Sequence, residues 1–163
     1  MTIPTRIARP EDAEAVTALV QAAYAPWVEV IGAMPGPMLD DYAKLIKEEW
    51  VGVSEDTLGI FKVMVLLDQG DTLLIDNMAV RPDMQGKGWG KRMLDSADMI
   101  ASEAGFSRMR LYAHEKMQSN IDLYERHGFT ITHRVTERGL SRVYLEKAAE
   151  PWPGRPRPKR PWP

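Results

Sequence analysis

The stretch DNMAVRPDMQGKGWGKRML, residues 76–94, limits the folds open to this chain more than any other. An apolar run ends in a turn with glycines at alternate positions, Gly86, Gly88 and Gly90, and the pattern then becomes helical. A strand that feeds a helix through such a loop presents unpaired backbone N–H groups, and the helix dipole adds attraction for an anion. The arrangement belongs to α/β architecture; a phosphate-bearing ligand and a plain turn are its two readings.

Elements on either side of the loop extend this pattern. TRIAR reads as a short strand, and PEDAEAVTALVQAAY as a helix opened by Pro10 with Ala13, Val16, Leu19, Val20 and Ala23 on one face. GAMPGPM interrupts, and LDDYAKLIKEEW gives a second, shorter helix. Residues 50–80 are apolar runs broken by SED and DQGD, hence strands joined by turns. A helix from Gly88 to Ala104, capped by Gly105, leads to the strand RMRLYA, then to the short helix MQSNIDLYERH and a closing hairpin, FTITHRVTE with SRVYLEK, across Arg138 and Gly139. The order βααβββαβαββ predicts a mixed sheet of about six to seven strands flanked by helices on both faces.

The chain of 163 residues suits one domain, assigned to residues 1–149. Residues 150–163 form a Pro/Arg-rich tail: the segment from Pro151 holds six of the chain's 12 prolines with Arg155, Arg157, Lys159 and Arg160, and reads as disordered. Taking those four positive charges from the net of −2 leaves residues 1–150 at −6. That balance favours a small-molecule partner over nucleic acid or a membrane surface. No cysteine is present, which excludes disulfides, thiolate zinc sites and a cysteine nucleophile, and no metal site is expected. The N-terminus lacks a signal-like segment and no run approaches the roughly 18 apolar residues of a spanning helix, so a cytoplasmic protein is expected.

A P-loop is ruled out because Gly-Lys-Ser/Thr occurs nowhere, and the spacing Gly-x-Gly-x-Gly departs from the dinucleotide fingerprint Gly-x-Gly-x-x-Gly. QGKGWG does match the Gln/Arg-x-x-Gly-x-Gly/Ala signature of the GNAT acyltransferases, as Gln85, Gly88 and Gly90. MAVRP before it resembles the strand and proline turn of that family, and NIDLYERHGF resembles its Asn-x-x-x-Tyr segment. The resemblance implies the GNAT fold and acetyl-CoA bound in a cleft between the fourth and fifth strands. It implies that the backbone of Met78 and Val80 holds the pantetheine arm, with Asn120 opposite. The N–H groups of Gly86, Lys87, Gly88, Trp89, Gly90 and Lys91 would hold the pyrophosphate, with the side chains of Lys87 and Lys91 as aids or as ordinary solvated lysines.

By the same resemblance the activity is acetyl transfer from acetyl-CoA directly to a primary amine, on a small molecule or an exposed peptide, through a tetrahedral intermediate. Tyr124 matches the general acid of the family and lies one turn from Asn120. A backbone N–H at Met78 or Ala79 is the expected oxyanion donor. Asp76 shares strand parity with Met78 and Val80, which places it on their face as a candidate base; Glu29 and His114 are the other candidates.

The resemblance also implies that acceptor recognition falls to the region between the first helices, YAPWVEVIGAMPGPMLDDY, with Tyr24, Trp27 and Glu29 as substrate contacts and Asp40, Asp41 and Tyr42 nearby; core aromatics and a solvated Asp pair opening a helix are the other reading of the same residues. Protein N-terminal or lysine acetylation is the alternative and requires an open groove between MPGPM and the closing hairpin. A non-catalytic acyl-CoA sensor would need neither Tyr124 nor a base. Lys62 departs from the family pattern and, if it points inward, requires a partner such as Asp68 or Asp76. The edge strands leave room for a homodimer.

Overall fold

The computed structural model describes residues 4–150. The tail expected over 150–163 therefore lies outside the described residues, Glu150 excepted. Seven strands form one sheet: β1 (Arg6–Ile7), β2 (Val51–Asp56), β3 (Gly59–Gln69), β4 (Thr72–Val80), β5 (Arg108–His114), β6 (Thr130–Glu137) and β7 (Leu140–Ala148). Their spatial order is β1-β2-β3-β4-β5-β7-β6, and every neighbouring pair is antiparallel except β4 with β5. Helices α1 (Ala13–Ile31) and α2 (Tyr42–Lys47) pack on one face, and α3 (Trp89–Glu103) and α4 (Gln118–Arg126) on the other.

Each face owns a core. Val16, Leu19 and Val20 of α1 and Ile46 of α2 bury against Val53, Val63 and Val65, residues that alternate along β2 and β3. Met93, Leu94, Ala97 and Ala101 of α3, spaced three and four apart, bury with Leu73, Ile75, Met109 and Leu111 on the other side. No helix among the described residues is long and apolar enough to cross a membrane.

Two helices differ from the sequence pattern. α1 continues past Tyr24 and through Pro26 to Ile31, stopping at Gly32, whose φ of 79° is left-handed. Proline removes one N–H donor, and the carbonyl this frees belongs to exposed Ala22, where water can bond it. α2 is shorter than LDDYAKLIKEEW: a 3-10 turn at Gly36–Leu39 precedes it, and Asp41 caps it by accepting the N–H of Lys44 at 3.1 Å. The closing hairpin turns on Arg138 and Gly139, both at positive φ (52° and 76°), as a two-residue hairpin that follows the sheet's twist requires.

The feature that positions a site is a split in the sheet. β4 and β5 pair only over Thr72–Ile75 and Arg108–Leu111, although both strands run on, to Val80 and His114. The pairing ends at a β-bulge: Val65 of β3 opposes Asn77 and the next residue, Leu66, opposes Ile75, so Asp76 is the extra residue. A bulge bends its strand and sharpens the local twist, which carries the end of β4 away from β5.

Candidate active site

The split opens a cleft between β4 and β5. Ile75–Met78 of β4 and Leu111–His114 of β5 form its sides, Asn120 and Tyr124 of α4 close it on one face, and Tyr24 of α1 with Pro35–Pro37 on the other. The backbone edge of β4 is open there. Arg81 gives its N–H to the carbonyl of Phe61 on β3 at 2.8 Å, so strand alternation turns the peptide groups of Val80 and Met78 toward the cleft. Gln85 closes the end of this edge by donating from Nε2 to the carbonyl of Val80 at 3.0 Å. Ala79, by the same alternation, points its peptide group at β3 and its side chain into the α1/α2 core.

The glycine loop follows directly. The N–H groups of Met84 and Gln85 are used in a 3-10 turn, whereas those of residues 86–91 have no partner among the described residues. Six successive donors at the start of a fifteen-residue helix make a positively polarised end. Gly86 and Gly88 hold φ of 75° and 83°, which an L side chain resists. Gly90 serves a different purpose: a Cβ there would lie 2.8 Å from Cδ2 of Leu123, so its bare Cα lets α3 and α4 touch. The ring of Trp89 turns away from the loop to pack on Phe61, with the guanidinium of Arg92 over it at 4.7 Å. Lys87 is exposed, and Lys91 pairs with Asp95 at 3.0 Å.

Tyr124 is buried, lines the cleft and makes no hydrogen bond through its hydroxyl among the described residues. Burial pushes its pKa up to about 12, so it holds its proton at neutral pH and has that proton to give. Asn120, one turn earlier on α4, lines the same wall.

Asp76 corrects the parity expected for it. Leu73 and Ile75 face the α3/α4 core and so do Met78 and Val80, a change of parity that only the bulge permits. Asp76 and Asn77 are both turned to the opposite face, where Asp76 accepts the hydroxyl proton of Tyr112 at 3.0 Å and Asn77 reaches Tyr42. Burial raises the pKa of Asp76, against the lowering effects of the Tyr112 hydrogen bond and the charge of Arg142.

The other expected residues divide. Tyr24 reaches the cleft. Trp27, one turn on from Tyr24 on the same face of α1, packs against the core and does not line the cleft, and Glu29 is exposed because five residues of helix turn it off that face. His114 lines the cleft but accepts the backbone N–H of Lys116 at Nδ1, 3.1 Å away, so its neutral ring carries the proton on Nε2 and burial lowers its pKa. Lys62 finds neither Asp68 nor Asp76: its Nζ donates to Thr5 Oγ1 at 3.0 Å and lies 5.8 Å from the centre of the Trp89 ring.

A second, wider groove continues from the cleft along the α2 side, between Met34, Leu39 and Asp40 and the turn Glu137–Gly139. Tyr112 and Tyr144, cross-strand partners with rings 5.4 Å apart, are its floor. Arg142 lies over Tyr112 at 4.6 Å, bonds Glu137 at 3.0 Å and crosses so close to Gly36 that a side chain there would displace it. Burial and the nearby charge of Asp76 raise the pKa of Asp40 to about 6. Tyr112, Asn77 and Arg142 were not singled out in the sequence; the alternation in RLYAHE places Tyr112 opposite Met109, Leu111 and Ala113, and that was the available signal.

Comparison with known proteins follows the same lines. The family model described as an acetyltransferase (GNAT) domain matches residues 45–131, more than half of the chain. A curated relative, N-alpha-acetyltransferase 80 of Mus musculus, is 26% identical over 105 residues, 61% of this chain and 32% of the relative; the chain thus spans about a third of that protein's length. Among solved structures, the PaiA N-acetyltransferase of Thermoplasma acidophilum in complex with coenzyme A superposes with a TM-score of 0.72 at 18% identity, over 91% of this chain and 99% of that one. The ribosomal-protein-S18-alanine N-acetyltransferase of Escherichia coli gives 0.71 at 16% identity, over 94% and 97%. A phosphinothricin acetyltransferase of Sinorhizobium meliloti, in complex with AcCoA, gives 0.68 at 16% identity, over 98% and 95%. The fold is common to all three, while the two acceptors their names give, ribosomal-protein-S18 alanine and phosphinothricin, differ.

Proposed function

Because this chain belongs to the GNAT acetyltransferase family, we propose that it moves an acetyl group from acetyl-CoA to a small primary amine held in the β4–β5 cleft. The single observation that carries this reading is the set of main-chain N–H groups without a partner among the described residues, at Met78 and Val80 on the edge of β4 and at residues 86–91 of the loop that follows, with Met78 and Tyr124 lining the same cleft. Those groups fit a pantetheine arm that ends in a pyrophosphate: peptide partners for the amides of the arm, and a helix N-terminus for the anion. Asn120 adds a side-chain partner from α4. When bound, acetyl-CoA supplies the acyl carbon and a thiolate leaving group.

The residues of the chain account for the rest. The acceptor approaches from the α1/α2 face, because α3 and α4 bound the donor face. Asp76 is on the acceptor side by virtue of the bulge, and its carboxylate takes the proton that an ammonium must lose before its nitrogen can attack. Nitrogen then adds to the acyl carbon to give a tetrahedral intermediate; as this collapses and the C–S bond breaks, Tyr124 gives its hydroxyl proton to the departing sulfur and is reprotonated by the proton that the new amide nitrogen sheds. The backbone N–H of Met78, on the open edge, is placed to stabilise the carbonyl oxygen as it gains charge. With Asp40 and Asp76 on the acceptor side, the pocket favours amines over anionic acceptors.

The groove between Met34 and the Glu137–Gly139 turn supports a second reading, in which the acceptor is the amine of a peptide laid along Tyr112 and Tyr144. One assay tests both: release of free CoA from acetyl-CoA, followed with a thiol reagent, across polyamines, arylalkylamines, amino acids, aminoglycosides and short peptides. The chain has no cysteine to contribute a background thiol. Turnover of small amines that collapses in Tyr124→Phe supports the first reading, and turnover of peptides alone supports the second. Tight acetyl-CoA binding with no turnover at all overturns both in favour of a sensor.

A further inference from the structure

Below the cleft runs a chain of hydrogen bonds that the acetyl-transfer reading does not use. The hydroxyl of Tyr24 lies 2.7 Å from Oδ1 of Asn77, Nδ2 of Asn77 lies 2.9 Å from the hydroxyl of Tyr42, and that hydroxyl lies 2.6 Å from the carbonyl oxygen of Pro37. Asn77 and Tyr42 are almost fully buried, at 3% and 2% exposure, so water does not compete for these groups.

The direction of every bond in the chain is forced from its far end. The carbonyl of Pro37 can only accept, so Tyr42 must give it its single proton. The oxygen of Tyr42 then has only lone pairs left for Asn77, which must present its NH₂ group there. Oδ1 of Asn77 is thereby turned to Tyr24 and obliges Tyr24 to donate, to Oδ1 and, at 3.3 Å, to the carbonyl of Met78. With its proton committed, the oxygen of Tyr24 receives no hydrogen bond from any described residue and lines the cleft as an acceptor. Tyr124, across the same cleft, is in the opposite state: its hydroxyl proton is uncommitted among the described residues.

We propose that Asn77 and Tyr42 are positioning residues that fix the hydroxyl of Tyr24 as an acceptor for an N–H of the incoming amine, orienting the nitrogen lone pair toward the acyl carbon. The proposal rests on the acetyl-transfer reading above. It assigns the two tyrosines of the cleft distinct tasks, one receiving the nucleophile and one protonating the leaving group, and places the origin of the first at the carbonyl of Pro37 in the segment that borders the acceptor groove.

A double-mutant cycle tests it, with acetyl-CoA as donor and propylamine, 1,4-diaminobutane and phenylethylamine as probes. Tyr24→Phe and Tyr42→Phe are each expected to lower kcat/KM for the amine by about 10-fold, the value of one oriented hydrogen bond, with the Kd of acetyl-CoA unmoved. The double variant is expected to lose about 10-fold again in total, not about 100-fold, because Tyr42 acts only through Tyr24. Thermal melting establishes that each variant is folded; if Tyr42→Phe is not, Asn77→Leu carries the same cycle. Wild-type kcat/KM in folded Tyr42→Phe, or losses that multiply in the double variant, would overturn the inference while leaving the transfer reading intact. Failure of the wild type to acetylate any probe, with acetyl-CoA bound, would overturn both.

Discussion

On its α3 side the molecule offers a ligand main-chain N–H groups, those of residues 86–91 and of the edge of β4; on the α1 side of the cleft it offers side chains, Tyr24, Asp40, Asp76, Tyr112 and Arg142, drawn from separate elements. Main-chain donors are fixed by φ and ψ alone, so the identity of most side chains there is free and glycine is the residue that matters. A pocket of side chains depends on each residue type and on what holds it, so it changes with single substitutions. One half suits a ligand that is always the same, and the other suits one that differs among relatives.

Predictions that break one half without the other make this contrast measurable. The largest effect is expected at the junction: Tyr124→Phe removes the proton for the leaving sulfur and should lower kcat by about 100-fold or more, with the Kd of acetyl-CoA unchanged by direct titration. Next comes Asp76, whose folded pKa is raised by burial. Below that pKa the carboxyl keeps its proton and cannot take one from the amine, so kcat/KM should fall as the pH drops through it. Asp76→Asn should lose about 10-fold to 100-fold at neutral pH and abolish that acidic limb; a persisting limb would assign it to another group.

A smaller effect isolates the donor half. Gly88→Ala forces a Cβ into a left-handed conformation at a cost of about 1–2 kcal/mol, and should weaken acetyl-CoA by about 10-fold while KM for the amine stays put. The smallest concerns stability. Asp40 has a folded pKa of about 6 against 3.8 for the unfolded group, so folding favours its protonated form. The stability it contributes is present below pH 3.8 and lost as the pH rises toward 6. Since the group is partly exposed, solvent reduces the effect to about 1 kcal/mol or less; Asp40→Asn should raise Tm by about 2 °C at pH 8 and leave it unchanged at pH 3.5.

The same contrast explains what could be read from residues alone. The donor loop is local: strand end, turn, glycines and helix start fall within 76–94, so periodicity and glycine spacing describe it before any folding. The order of elements was legible for the same reason, each having its own period of 2 or 3.6 residues. Asp76 was not, because counting by twos along β4 assumes an unbroken pleat, and the bulge that changes its face depends on pairing with Val65 and Leu66. Glu29 and Trp27 were assigned to the segment beyond a helix read as ending at Tyr24, whereas α1 runs on through Pro26 to Ile31. The chain from Tyr24 through Asn77 to Tyr42 joins residues 53 and 35 positions apart, a separation at which no local pattern exists.

The missing side chain at Gly90 has a mechanical consequence. Because its bare Cα leaves room for Leu123, the neighbour of Tyr124, the helix that follows the glycine loop and the helix that carries Tyr124 come together at this point. The packing of α3 on α4 therefore depends on one absent methyl group, and any side chain at this position would have to push the end of Leu123 aside before the two helices could meet.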